Sequence, residues 1–296
     1  MVHYIENEHL KVGVKEFGCE LTSVVSKETG FEYLWQGDEK VWSGQSPILF
    51  PIVGRLIDDT YYLDGTAYEM PKHGFARKLQ WNFVESNGTS MKFVLSDNEE
   101  TFKLYPYHFD LVVTFTVDGK ALKVSHDIIN KNEGTMLFSL GAHPAFNCRI
   151  GDKLTFSEKE TLSTVKIDLT NSLRLPDTVP VLNNETDIVI TEDVFNEDAL
   201  IFNGVKSEFI TLRSDDHNRT VKFALGGAPW LGIWAKPGAP YVCIEPWCGV
   251  NDSQIKKNDF SEKDGINAIG KGKSFKFDNA TEEGRYLNRR VEFIFN

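Results

Sequence analysis

Positive charge is in short supply. Lys and Arg number 32 against 43 Asp and Glu, a formal net charge of −11. Such a chain carries no field to draw it onto nucleic acid or an anionic membrane without specific contacts. Long apolar runs are missing as well, so no segment of about 18 apolar residues is available to span a bilayer. The opening Met1-Val2-His3-Tyr4-Ile5-Glu6 has neither the basic nor the apolar part of a secretory leader. Cysteine is limited to Cys19, Cys148, Cys243 and Cys248, which implies free thiols in a cytoplasmic protein. Of these only Cys243 and Cys248 lie close together, and no second pair or His-x3-His follows, so a structural zinc site lacks its pattern. No Gly-x4-Gly-Lys-Ser/Thr loop, Gly-x-Gly-x-x-Gly turn or Gly-x-Ser-x-Gly elbow occurs, which removes the usual marks of nucleotide binding and serine hydrolysis.

Helical periodicity is nearly absent too. No window forms a sustained amphipathic helix, and one short helix is expected after Asp97, with Asp97 as N-cap, Glu100 as its capping-box partner and Pro106 as its stop. Strand patterns recur instead. Phe109, Leu111, Val113, Phe115 and Val117 alternate with polar neighbours, and Asp118-Gly119 turns the chain into a second strand from Ala121 to Ile129. Further strands are expected at Leu10 to Lys15, Leu21 to Ser26, Trp81 to Val84, Met91 to Leu95, Lys153 to Phe156, Ala199 to Phe202, Glu208 to Leu212, Val221 to Leu225, Ser274 to Phe277 and Val291 to Phe295. With 21 Phe, 9 Tyr and 6 Trp a sizeable core is available. No linker, low-complexity tract or fixed repeat divides the chain. The fold class is all-β: one antiparallel domain over residues 1–296, most simply two packed sheets. The polar stretch from Lys256 to Gly272 is expected as a solvated loop rimming a cleft.

Two stretches share an unusual ending. In Ser139-Leu140-Gly141-Ala142-His143-Pro144-Ala145-Phe146-Asn147 an alternating strand runs into His143, then proline, with an aromatic close behind. In Tyr241-Val242-Cys243-Ile244-Glu245-Pro246-Trp247 the same happens at Glu245. A lone histidine in an apolar strand is commonly a core residue, so it is the repetition that singles these two out. Together they look like two walls of one site, with an imidazole and a carboxylate as proton carriers for acid–base chemistry near neutral pH. Arg55 after Gly54, His73 and Arg77 in Lys72-His73-Gly74-Phe75-Ala76-Arg77, and Asp198 before Ala199-Leu200-Ile201-Phe202 are further candidates for holding a ligand. Trp35, Trp42, Phe146 and Trp247 could give an apolar platform.

Four segments, Phe50-Pro51-Ile52-Val53-Gly54-Arg55, His73-Gly74-Phe75-Ala76-Arg77, Gly141-Ala142-His143-Pro144-Ala145-Phe146-Asn147 and Cys243-Ile244-Glu245-Pro246-Trp247, resemble in order the motifs of the aldose 1-epimerase (galactose mutarotase-like) family. The resemblance is closest to its bacterial LacX-type branch. It implies a galactose mutarotase-like β-supersandwich, without metal or cofactor, acting on a small-molecule sugar as a monomer or homodimer. It implies that Glu245 takes the C1 hydroxyl proton and His143 protonates the ring oxygen, and that Arg55, His73, Arg77 and Asp198 bind the sugar. The related hexose-6-phosphate 1-epimerases carry Arg-Gly-Gly-Ile-Pro before the Phe-Pro motif, where this chain has Ser43-Gly44-Gln45-Ser46-Pro47. One expected phosphate ligand is therefore missing, while Arg77 matches another and Lys72 stands where glutamine is usual. A non-catalytic sugar-binding protein is the reading from a different class. Glycoside hydrolysis would call for two carboxylates, and here the second group is a histidine.

Overall fold

The computed structural model describes residues 1–214, 219–277 and 291–295. Its strands fall mainly into a ten-stranded and a six-stranded antiparallel sheet. The larger runs in the order Arg174–Val189, Lys153–Ile167, Phe209–Arg213, Thr220–Ala224, Val291–Phe295, Ala121–Asn130, Phe109–Asp118, Ser90–Ser96 and Asn82–Ser86, with Ser274–Phe277 also paired to Ala121–Asn130. The smaller runs Leu200–Asn203, Trp230–Trp234, Tyr241–Cys248, Leu140–Ala142 and Ile48–Leu49, with Ala145–Asn147 also on Tyr241–Cys248.

Alternation along each strand decides which face is buried. Phe109, Leu111, Val113, Phe115 and Val117 are buried and the residues between them are half-buried. The hairpin closes with Asp118 opposite Ala121, and Gly119 takes the positive φ (55°) that its tight turn requires. In the smaller sheet Phe146, Val242 and Ile244 point into the core and are fully buried. The Phe146 ring meets Phe223 and Phe293 of the larger sheet at 6.0 and 5.5 Å between centroids. Phe50, beside the smaller sheet, meets Phe109 of the larger at 5.1 Å.

Several expectations need correction. Asn98 caps the helix Glu99–Leu104, in a capping box with Thr101. Asp97 instead accepts the Phe109 N–H (2.9 Å) and lies 2.7 Å from His108 Nδ1, which ties it to the neighbouring strand. The strand expected over Lys153 to Phe156 continues to Ile167 and returns as Arg174–Val189. Pro176 and Pro180 hid that return, and they are tolerated because it lies at the sheet edge, where no neighbour needs their N–H. Its partner strand is pinned to the smaller sheet's side of the molecule. Glu160 Oε1 accepts from Lys206 N, Ser207 N and Ser207 Oγ at 2.7–3.0 Å, and Thr164 Oγ1 accepts from Ile201 N at 2.8 Å.

The stretch from Lys256 to Gly272 is not a solvated loop. Phe260 and Ile269 are buried, and Asn267–Ile269 pairs with Met136–Phe138. Lys263, 4% exposed, donates to Val250 O (2.6 Å) and Asp252 Oδ1 (2.9 Å).

Because Phe146 joins the two sheets, Phe146→Ala is expected to lower unfolding stability by about 3–5 kcal/mol, the range for a large buried aromatic. Urea denaturation measures this, and an unchanged midpoint would show that the sheets do not depend on that contact.

Candidate active site

The site grows from one strand register. Gly141 lies opposite Trp247, and Ala145 lies opposite Cys243. The register is the same on both sides of His143-Pro144, so His143 stands directly across from Glu245. His143 Nε2 is 3.2 Å from Glu245 Oε2. The two stretches are thus hydrogen-bonded neighbours in one sheet rather than facing walls, and their side chains meet because directly opposed residues share a face.

Room on that face comes from glycine. Gly232 is opposite Glu245 on the other side, and a Cβ there would lie 2.6 Å from the Trp247 ring. A Cβ on Gly141 would approach the same indole to 2.8 Å. The Trp247 ring therefore occupies space that both glycines leave free. Trp42 lies against His143 at 5.2 Å with the rings tilted by 30°, and Trp234 meets it edge-on at 5.7 Å. The loop that carries Trp42 is held by Glu20, whose Oε1 accepts the N–H groups of Gln45 and Ser46.

Two loops supply the other side. His73 has φ 66°. Its N–H donates to Gly54 O (2.7 Å), and its ring Nδ1 accepts from Gly54 N (3.1 Å). That bond fixes the neutral tautomer with the proton on Nε2. Gly74 also has positive φ (69°), and a Cβ there would lie 2.1 Å from Phe50 O. The glycines of Val53-Gly54-Arg55 and His73-Gly74-Phe75 thereby allow the two loops to interlock.

These elements enclose a cavity of about 510 Å³ whose lining includes Glu245, His143, His73, Arg77 and Asp198. Asp198, at φ 74°, is set by its own Oδ1 accepting the Ala199 N–H at 2.8 Å. Arg55 is not brought there. Asp59 holds its guanidinium through two 2.7 Å bonds, Nε to Oδ1 and Nη2 to Oδ2, and it is Gly54 that reaches the cavity. The stretch 256–272 contributes nothing to the wall among the described residues. Missed by the sequence reading were Lys236, at the turn after Trp234, and Ser172 and Asn251. Ser172 comes from the tip of the long hairpin, and only the fold brings that tip over the smaller sheet. Five polar atoms of the lining are buried without a hydrogen-bond partner: Arg77 Nε, His143 Nδ1, Glu245 Oε2, Trp247 Nε1 and Asn251 Oδ1. Unsatisfied groups gathered around one cavity mark a place for a polar ligand.

Burial dominates the electrostatics. It pushes Glu245 well above the usual carboxylate range, opposed by the Trp247 indole and Lys72 and assisted by Asp198. It pulls His143 down to about 3, with Arg77 and Lys72 adding to the effect. His73 is lowered in the same way, first by burial and then by His143, Lys72 and Arg77. A carboxylate facing an imidazolium is therefore not the form burial favours. The favoured form has the same single proton placed on Glu245. His143, Cys243 and Glu245 bring three metal-ligating atoms within 4.8 Å of one another. Burial holds the Cys243 thiol well above its ordinary pKa, which opposes the thiolate a metal would require.

Known proteins resemble this chain in both sequence and fold. The family described as "Aldose 1-epimerase" matches residues 1–275. The plasmid-borne protein LacX of Lactococcus lactis subsp. lactis is 35% identical over 282 residues, covering 90% of this chain and 93% of LacX. A protein of Escherichia coli (strain K12), described as a candidate glucose-6-phosphate 1-epimerase, is 27% identical over 189 residues and 60% of each chain. The crystal structure of a galactose mutarotase related enzyme from Lactobacillus acidophilus superimposes with a TM-score of 0.91 at 30% identity, covering 100% of this chain and 97% of that one. The β-rich fold is thus the galactose mutarotase-like one, and the chain belongs to the aldose 1-epimerase family.

Proposed function

We propose that the protein is an aldose 1-epimerase that interconverts the α and β anomers of a hexose such as glucose or galactose. The observation that carries this reading is the His143–Glu245 pair, 3.2 Å apart at a sugar-sized cavity. Glu245 takes the proton of the C1 hydroxyl while His143 protonates the ring oxygen, and the ring opens to the aldehyde. Rotation about C1–C2 and closure with the roles reversed give the other anomer. His73, Arg77 and Asp198 hold the sugar. Arg55, bound to Asp59, supports the loop that presents Gly54.

Burial favours the resting proton on Glu245 over His143. Moving it from Oε2 to Nε2 produces the carboxylate and imidazolium without changing the charge of the pair, so no proton is needed from solvent. The hydroxyls of a bound sugar, donating to the Glu245 carboxylate, assist that transfer, whereas Lys72 favours the carboxylate and disfavours the imidazolium.

The cations Lys72, Arg77 and Lys236 on the cavity wall favour a second reading, in which the hexose carries a 6-phosphate. The ratio of kcat/KM for glucose 6-phosphate to that for glucose decides between them. A ratio well above one that collapses in Arg77→Ala supports the phosphorylated substrate.

Glu245→Gln is expected to reduce kcat by about 10²–10⁴-fold, the usual contribution of a positioned acid or base, while sugar binding measured by calorimetry persists. Polarimetry of fresh α-glucose and α-galactose provides the rate. Folded wild-type protein that binds sugar but accelerates neither would instead favour a sugar-binding protein.

The enzyme-dependent rate should also show no inflection near pH 6.5, the ordinary value of about 6.5 for histidine. Burial raises Glu245 and lowers His143 far from that value, so the imidazole does not titrate there. The pair takes up a second proton only as pH falls toward the lowered His143 pKa of about 3. A kcat–pH profile that declines with rising pH around 6.5 would show the two groups titrating independently.

A further inference from the structure

We propose that Asn251 is a specificity-determining residue whose carbonyl oxygen, Oδ1, accepts a hydrogen bond from one of the 2-, 3-, 4- or 6-hydroxyls of the bound hexose; this rests on the epimerase reading above.

The Asn251 side chain is 5% exposed and lines the cavity. Its Nδ2 donates to Ser172 O at 2.7 Å. That contact decides which way the amide faces, because two carbonyl oxygens do not face each other at hydrogen-bond distance. With Nδ2 committed, Oδ1 is the polar atom left, and it is buried without a partner. Asn130, the other buried asparagine among the described residues, differs: its Oδ1 accepts from Asn132 N (2.8 Å) and its Nδ2 donates to Gly134 O and Ile269 O. A buried amide carbonyl with no acceptor role in the protein is costly unless a ligand supplies the donor. Sugar hydroxyls are such donors.

The residue is held as a binding group must be. Its backbone carbonyl accepts from Arg174 Nε at 2.7 Å, and Arg174 Nη2 in turn reaches Asp264 Oδ2 at 2.5 Å. Its neighbours Val250 and Asp252 are both tied to buried Lys263. On the other side Gly54 lies so close that a Cβ there would stand 2.1 Å from Asn251 Cβ. Gly54 thus serves two residues: its N–H orients His73, and its missing side chain admits Asn251.

The test measures kcat/KM for glucose and its 2-, 3-, 4- and 6-deoxy analogues with wild type and Asn251→Ala, after thermal melts have shown that the variant is folded. If Asn251→Ala does not fold, Asn251→Ser takes its place. Removing one neutral hydrogen bond should lower kcat/KM by roughly 2- to 12-fold for glucose and for every analogue that retains the contacted hydroxyl. The analogue lacking that hydroxyl should be unaffected by the substitution. An equal loss on all five sugars would reduce Asn251 to a support of the loop, and no loss on any would remove it from the site; either overturns the inference while leaving the epimerase reading intact. Wild type that binds hexoses without turning them over defeats the epimerase reading alone, since the same series read as Kd still decides the role of Asn251. Wild type that neither binds nor turns over any hexose defeats both.

Discussion

The backbone register between Gly141–Asn147 and Tyr241–Cys248 is the constraint on which the rest of the site depends. A slip of one residue would turn either His143 or Glu245 to the opposite face of the sheet. What prevents the slip is the core rather than the site: Phe146, Val242 and Ile244, on the other face of the same strands, are fully buried, and Phe146 packs against the larger sheet. The His143–Glu245 geometry is a by-product of hydrophobic packing on the reverse side. Gly141 and Gly232 then let one tryptophan fill the space that two ordinary side chains would take.

Placing an acid and a base in so dry a setting carries an electrostatic penalty for each charge. The pair avoids most of it by holding one proton between two groups, since the buried unit is then neutral as a whole. Arg77 and Lys72 disfavour a charged His143, while Lys72 favours a charged Glu245. The surrounding cations thus act on the two partners in opposite ways. The proton's position, rather than its presence, is what the cavity adjusts.

Much of this was legible in the sequence where local pattern and tertiary outcome coincide. The alternating strands, the Asp118-Gly119 turn and the two strands ending in His143 and Glu245 all follow from period-two patterning and turn chemistry. Five of the six proposed site residues line the cavity, and Arg55 does not, because Asp59 four residues on captures it. Ser172, Lys236 and Asn251 carried no local signal. They reach the cavity through a long-range fold, above all the hairpin whose prolines disguise its second strand. Lys256 to Gly272 misled for the converse reason: its composition is polar, yet one apolar ring and one paired lysine suffice to bury parts of it.

The prolines of that edge strand have a consequence beyond disguise. An exposed sheet edge is a template on which another copy of a chain can add its own strand. Pro176 and Pro180 present no N–H to such a visitor, and the pairing of Arg174–Val189 with its neighbour is broken by repeated register shifts. The ladder needed for edge-to-edge growth is therefore interrupted along the very hairpin whose tip forms part of the cavity. The hairpin whose tip lines the cavity thus carries an outer edge unsuited to strand addition.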